Sequence, residues 1–91
     1  MNIGIIKEGK VPPDFRVALT PKQCKVIVDT YPDVEVFVQR SPIRTYSDDE
    51  YEAAGLTLVD ELSHCDLIIG VKEVNREDLI PDKTYMYIDL F

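Results

Sequence analysis

The feature that most constrains this chain is the short apolar segment at residues 66–71, Asp-Leu-Ile-Ile-Gly-Val. A strand with one face in water alternates polar and apolar residues, whereas a continuous apolar run is typical of a strand that is covered on both faces. The run at residues 3–6 has the same character. Strands of this kind occur mainly in parallel sheets, so the pattern predicts an α/β domain.

Helix signals separate the predicted strands. Thr20 and Pro21 are typical of a helix N-cap followed by the first helical position. Apolar residues then recur at the spacing of one helical face: Cys24, Ile27, Val28 and Tyr31. Ser47 and Glu50 form the sequence of a capping box, and Gly55 is a favourable residue at the end of that second helix.

Further strands are predicted at residues 34–39, 57–59 and 84–88. The order of strands and helices predicts a small parallel sheet with helices on both faces, similar to flavodoxin and Rossmann domains. The four glycines are widely spaced and none forms G-x-G-x-x-G, so the nucleotide fingerprint of a Rossmann domain is missing.

Composition excludes several classes of function. The net charge of −7 argues against binding to nucleic acid or to an anionic membrane surface. No apolar run approaches the roughly 18–20 residues that span a bilayer, and residues 1–7 lack the layout of a signal peptide. Cys24 and Cys65 are expected to be reduced core thiols of a cytoplasmic protein, and a lone His64 offers little for a metal site.

Two cationic side chains stand at predicted strand–helix junctions, where α/β proteins place their reactive groups. Arg16 precedes the first helix, and Lys72 follows the apolar run that ends at Val71. An arginine fork matches a carboxylate, and a partly desolvated lysine can exchange a proton. The pair therefore suits an anionic, oxygen-rich small molecule.

Four collinear segments carry a family resemblance: residues 3–8 (IGIIKE), 16–21 (RVALTP), 46–51 (YSDDEY) with Ala54 and Gly55, and 71–73 (VKE). Over residues 1–91 the chain resembles the N-terminal domain of the alanine dehydrogenase and pyridine nucleotide transhydrogenase family, with RVALTP the most specific piece. Residues 41–46 (SPIRTY) resemble the saccharopine dehydrogenase and lysine–ketoglutarate reductase branch more than alanine dehydrogenase itself.

The resemblance implies a fragment of a longer two-domain oxidoreductase that acts on an amino acid or keto acid. Its second, Rossmann domain would bind NAD or NADP, and the chain alone would bind no cofactor and would be inactive. Arg16 would hold the substrate carboxylate, with Lys7 and Glu73 also at the substrate, and Lys72 would take part in proton transfer. A homo-oligomer is also possible, because an exposed sheet edge can pair with another copy.

One position departs from the family pattern. The family usually carries a catalytic histidine after the last of these strands, and Asp89 stands there in this chain. An aspartate can accept a proton but is normally ionised at neutral pH, so it is a poor proton donor there. Asp89 is retained as the second catalytic candidate, and the replacement keeps open a non-catalytic binding or regulatory module.

Each candidate also has a structural interpretation. Arg16 could form a surface ion pair, Lys72 could be a solvated strand-end lysine, and Asp89 could be a surface acid. Lys7 could pair locally with Glu8 or form part of the site floor. Arg44 is predicted to be a surface residue, with contact to a second substrate carboxylate as the alternative.

Overall fold

Five parallel strands form one sheet in a computed structural model that describes residues 1–8, 16–72, 74 and 76–88. The strands are β1 (Asn2–Ile5), β2 (Glu35–Gln39), β3 (Thr57–Val59), β4 (Leu67–Gly70) and β5 (Thr84–Tyr87). The helices are α1 (Pro21–Thr30), α2 (Asp48–Ala53) and a 3₁₀ turn (Arg76–Asp78). The predicted α/β class and parallel sheet are confirmed.

The strand order is β3-β2-β1-β4-β5. The chain therefore moves outward from β1 through β2 to β3, returns to the other side of β1, and moves outward again through β4 to β5. Because parallel crossovers are right-handed, the first two connections cover one face of the sheet and the last two cover the other. The reversal between β1 and β4 is the point at which ligands bind in open α/β sheets.

The first face carries both α-helices. Ile3 and Ile5 of β1 lie beside Val36 and Val38 of β2 on this face, and all four are buried. Residues of the two helices complete this cluster, with Cys24 of α1 and Tyr51 of α2 both fully buried.

The second face is covered by the β3–β4 connection and by the region around the 3₁₀ turn. Leu62 and Cys65 pack on Ile68 of β4, and Ile80 joins them after the turn. A side chain at Gly4 would force this layer to shift, because its Cβ would lie 2.9 Å from the Leu62 side chain and 3.0 Å from the Cys65 sulfur. Ile68 and Ile69, on opposite faces of β4, are both buried, as the apolar run predicts.

Both predicted helix N-termini are confirmed. The Thr20 hydroxyl accepts a hydrogen bond from the Gln23 N–H, and the Gln23 side chain accepts one from the Thr20 N–H. Ser47 and Glu50 form the same reciprocal pair. Gly55 follows α2 with a φ of 91°, a backbone conformation that favours glycine.

The prediction that Tyr31 lies on the buried face of α1 is wrong. The helix ends at Thr30, and Tyr31 has extended backbone angles and a side chain that is 59% exposed. Pro32 directly follows and disfavours helical angles at the residue before it, which turns Tyr31 out of the helical spacing.

Both cysteines are buried free thiols, as predicted. Burial raises the pKa of Cys24 to about 11. It also raises the pKa of Cys65, and the positive charge of Lys83 partly opposes that shift. Within the described part of the chain, neither α-helix has the length or apolar character needed to cross a membrane.

Candidate functional site

The candidate site lies at the carboxyl edge of the sheet, beside the reversal between β1 and β4. Lys7 and Glu8 follow β1, and Val71 and Lys72 follow β4. Since the two strands are parallel neighbours, these two chain segments leave the sheet side by side. The tertiary structure therefore brings Lys7 and Lys72 to the same edge. In the chain, Glu8, which directly follows Lys7, is 64 positions away from Lys72.

The Glu8 carboxylate links the two segments. One oxygen accepts a hydrogen bond of 3.1 Å from the Val71 N–H, and the other accepts one of 2.9 Å from the Lys72 N–H. Its two backbone bonds attach the segment after β1 to the backbone of Lys72.

Gln39 connects the same edge to the strands on the other side of β1. Its side-chain oxygen accepts a hydrogen bond of 3.1 Å from the Lys7 N–H, and its side-chain nitrogen donates one of 3.1 Å to the Asp60 carbonyl. The ends of β1, β2 and β3 are thereby joined through one amide. Gln39 is not among the predicted site residues, and the sequence signal for it is a polar residue at the end of an apolar strand.

A groove of about 540 Å³ opens at this edge on the second face of the sheet. Its apolar wall includes Ile6, Leu62 and Ile80, and its charged groups are Lys7, Glu61 and Asp78. Hydrogen bonds from Ser63 lower the pKa of Glu61, so this carboxylate is ionised at neutral pH. The groove therefore offers both signs of charge beside an aliphatic surface.

The RVALTP segment runs from solvent into the core on the first face of the sheet. Arg16 is exposed, whereas Ala18 is buried among the residues on the first face, and Thr20 caps α1. Because α1 connects parallel β1 and β2, its N-terminus lies at the carboxyl edge of the sheet. The segment thus leads Arg16 to the edge that carries Lys7 and Lys72.

Tyr51 of α2 stabilises the RVALTP segment through a hydrogen bond. Its hydroxyl donates a hydrogen bond of 2.7 Å to the Leu19 carbonyl, and its ring lies under the Arg44 guanidinium, 4.6 Å from the Cζ atom. Burial raises the pKa of Tyr51 far above its usual range, and the positive charge of Arg44 partly opposes that shift. The hydroxyl consequently stays protonated and serves as a donor.

The prediction that Arg44 is a surface residue is wrong. Its side chain is only 6% exposed and donates to the Gln39 and Tyr46 carbonyls and to Asp48 Oδ1. Because the fork bonds to the end of β2, to Tyr46 and to the first residue of α2, its geometry is that of a structural arginine and does not favour the alternative of a second substrate carboxylate. The loop around Pro42 folds back on α2, which a local reading of the sequence could not show.

The other predicted site residues are placed as follows. Lys72 is half-buried and Lys7 is exposed. Glu73 and Asp89 lie outside the described residues. His64 lies at the opposite edge of the sheet, because its carbonyl accepts a hydrogen bond from Asn2 at the amino end of β1.

The start of α1 is poorly suited to hold a dinucleotide phosphate. Pro21 has no backbone N–H at the start of α1, and the Gln23 N–H already bonds to Thr20. Among the same residues, no group of three or more His, Cys, Asp or Glu side chains is arranged to hold a metal ion.

Comparison with known proteins gives the family. The family model described as alanine dehydrogenase/PNT, N-terminal domain, matches residues 4–89. The chain belongs to this family. The domain is 39% identical over 71 residues to the saccharopine dehydrogenase (NAD(+), L-lysine-forming) of Yarrowia lipolytica, a match that covers 72% of the chain.

Two further relatives have another name. The chain is 32% identical over 89 residues to the alpha-aminoadipic semialdehyde synthase of Arabidopsis thaliana, which covers 93% of the chain. It is 38% identical over 72 residues to the mitochondrial enzyme of that name from Bos taurus, which covers 79%. The chain spans 19% of the Yarrowia protein and 8% of each of the other two. The predicted likeness to the saccharopine dehydrogenase branch is confirmed.

Proposed function

We propose that this domain provides the substrate-binding and proton-transfer side chains of an NAD-dependent dehydrogenase that acts on the C–N bond of an amino acid. The observation that carries the proposal is the junction of β1 and β4, where the Glu8 carboxylate holds the backbone of Lys72 beside Lys7. Saccharopine dehydrogenases are among the relatives of the chain, which supports a substrate with an amino group and carboxylates.

Each side chain has a proposed role. Arg16 binds a substrate carboxylate through its planar fork, and exposed Lys7 adds a second positive charge at the same edge. Hydride transfer to a C=N or C=O group requires a proton at the nitrogen or oxygen, and Lys72 supplies it. Glu73 would bind the amino group of the substrate, and Asp89 would accept the proton that an amine substrate releases.

The cofactor and the remaining parts of the enzyme belong to the same proposal. NAD would bind a second domain, because this sequence carries no G-x-G-x-x-G fingerprint. NAD(+) appears in the names of the saccharopine dehydrogenase relatives. The substrate would then lie between the two domains. The two free, buried thiols support a reducing compartment such as the cytoplasm.

The test is steady-state kinetics of the natural polypeptide that carries this domain, assayed by NADH oxidation with lysine and a keto acid such as 2-oxoglutarate. We expect Lys72→Met to lower kcat by roughly 10²–10⁴-fold, the usual contribution of a general acid or base. Arg16→Met should mainly raise the KM of the carboxylate substrate. Lys25→Met is the matched control, because Lys25 is exposed on α1 and pairs only locally with Asp29.

Two results would contradict the proposal. Activity of Lys72→Met within twofold of the unmodified enzyme would exclude the proton-transfer role. Absence of turnover, together with calorimetric binding of a keto acid that Arg16→Met abolishes, would favour the non-catalytic binding module instead.

A further inference from the structure

We infer that Glu8 is a positioning residue that sets the location of Lys72, a role that rests on the proposed function of Lys72. The β1–β4 backbone ladder ends where the Ile6 N–H donates a hydrogen bond of 3.0 Å to the Ile69 carbonyl. Beyond that point the carboxylate of Glu8, a half-buried residue, accepts hydrogen bonds from the N–H groups of Val71 and Lys72 in the neighbouring segment.

Both hydrogen bonds have a charged acceptor, the Glu8 carboxylate. Bonds from N–H groups to an ionised carboxylate are roughly twice as strong as bonds between neutral groups. Both carboxylate oxygens of Glu8 are used, so the carboxylate fixes the position and the direction of two consecutive peptide groups. The backbone that carries Lys72 is therefore held by a charge in the segment that follows β1 and not by the sheet alone.

Side-chain packing also holds the backbone directly before Lys72. The Val71 side chain is only 2% exposed and belongs to the cluster on the first face of the sheet. Gly70 leaves room on the second side, since a Cβ there would lie 2.8 Å from Ile6 Cγ2 and 3.4 Å from Glu8 Oε2. The backbone before Lys72 is thus fixed by the burial of the Val71 side chain and by the hydrogen bonds of the Glu8 carboxylate.

The first test uses nuclear magnetic resonance of the 91-residue chain and does not depend on its activity. The amide proton shifts of Val71 and Lys72 should change together as acid protonates Glu8, since both N–H groups lose part of a charged acceptor. In Glu8→Gln this common titration should disappear, and hydrogen exchange at the two amides should become at least about tenfold faster. The titration of the unmodified chain is informative even where the variant does not fold.

Glu61→Gln is the matched control for this measurement. Glu61 also accepts a bond from a backbone N–H, that of Ser63 at 2.8 Å, and it lines the same groove. Its replacement should change the Ser63 amide and leave the Val71 and Lys72 amides as they were. Amide signals of Val71 and Lys72 that do not respond to acid or to Glu8→Gln would overturn the inference.

The second test separates positioning from stability in the natural polypeptide. Glu8→Gln should lower kcat by about 10–100-fold while KM changes by less than about threefold, because substrate binding does not use Glu8. Glu8→Asp should restore part of kcat, and Glu35→Gln, an exposed carboxylate at the amino end of β2, should leave kcat unchanged. A Glu8→Gln enzyme that is only less stable, with normal kcat, would overturn the positioning role.

The two proposals fail in distinguishable ways. If Lys72→Met retains full activity, the proposed function of Lys72 fails, whatever the amide signals show. If the amides of Val71 and Lys72 are independent of Glu8 while Lys72→Met is inactive, the proposed function stands and the role of Glu8 fails.

Discussion

The Tyr51 hydroxyl donates a hydrogen bond of 2.7 Å to the backbone carbonyl of Leu19, 32 positions earlier in the chain. This bond joins the first turns of α2 to the segment that precedes α1. Arg44 lies against the other side of the Tyr51 ring. The segment that carries Arg16 is therefore supported by a buried aromatic residue that has no direct part in the proposed chemistry.

Replacement of Tyr51 by phenylalanine should weaken this support. The change keeps the ring but leaves the Leu19 carbonyl without this donor, which should lower the free energy of unfolding by about 1–2 kcal/mol. Urea denaturation measures the loss. Tyr31→Phe, at a residue that is 59% exposed, should change stability by less than about 0.5 kcal/mol. Equal effects of the two variants would show that the Tyr51 bond contributes little.

Replacement of Arg44 by lysine keeps the positive charge but should strongly lower the stability of the fold. A lysine cannot supply the fork that bonds to the Gln39 and Tyr46 carbonyls and to Asp48, so these part-buried acceptors lose donors. We expect a loss of about 2–4 kcal/mol in the free energy of unfolding, measured in urea.

Arg40→Lys provides the comparison for Arg44. Arg40 also pairs with an aspartate, Asp60, at 2.8 Å, but its side chain is 51% exposed. A solvated pair contributes at most about 1 kcal/mol, so this change should cost little. If both substitutions cost the same, the burial of Arg44 would not be the source of its importance.

The folded state should become less stable at alkaline pH because of Cys24. Burial raises the pKa of its thiol from 9.0 to about 11, so between these values the unfolded chain ionises the thiol while the folded chain keeps it neutral. The folded state binds the proton more tightly, and stability is therefore complete below pH 9 and falls as pH rises toward 11.

The size of this alkaline loss is roughly 2–3 kcal/mol, from the difference between the two pKa values. Unfolding in urea at a series of pH values gives the curve. Cys24→Val should make the loss smaller over this range and leave the parts due to Cys65 and Tyr51, whereas Cys65→Val should retain the part due to Cys24. A curve of the same shape in Cys24→Val and the unmodified chain would contradict the assignment.

Gly55 should be intolerant of an L-residue for conformational reasons only. Its φ is 91°, and an added Cβ would meet no heavy atom within 4 Å, so crowding plays no part. Gly55→Ala should lower the free energy of unfolding by about 1–2 kcal/mol, and Asn should cost less because it tolerates left-handed backbone.

Chemical synthesis provides the control for Gly55. A D-alanine at this position favours positive φ and should match or exceed glycine in thermal denaturation. A D-alanine chain as unstable as the L-alanine chain would indicate that contacts, and not the backbone angle, decide the residue at this turn.

Local sequence was sufficient for much of the framework. Thr20 and Ser47 cap the helices through bonds that span three residues, and Gly55 ends α2 through its own backbone angle. The apolar run at residues 66–71 indicated burial on both faces of β4, because the pattern itself reports which faces are covered. Such features involve neighbours in the chain, so a reading of one sequence can find them.

Only the tertiary structure decided how the site is held together. Glu8 meets the backbone of Lys72 and Tyr51 meets Leu19 because the strand order places their elements side by side. Arg44 is buried because its loop folds against α2 and places the guanidinium over the Tyr51 ring. Hydrogen bonds between residues that are far apart in the chain depend on strand order and crossover, which local propensities do not encode.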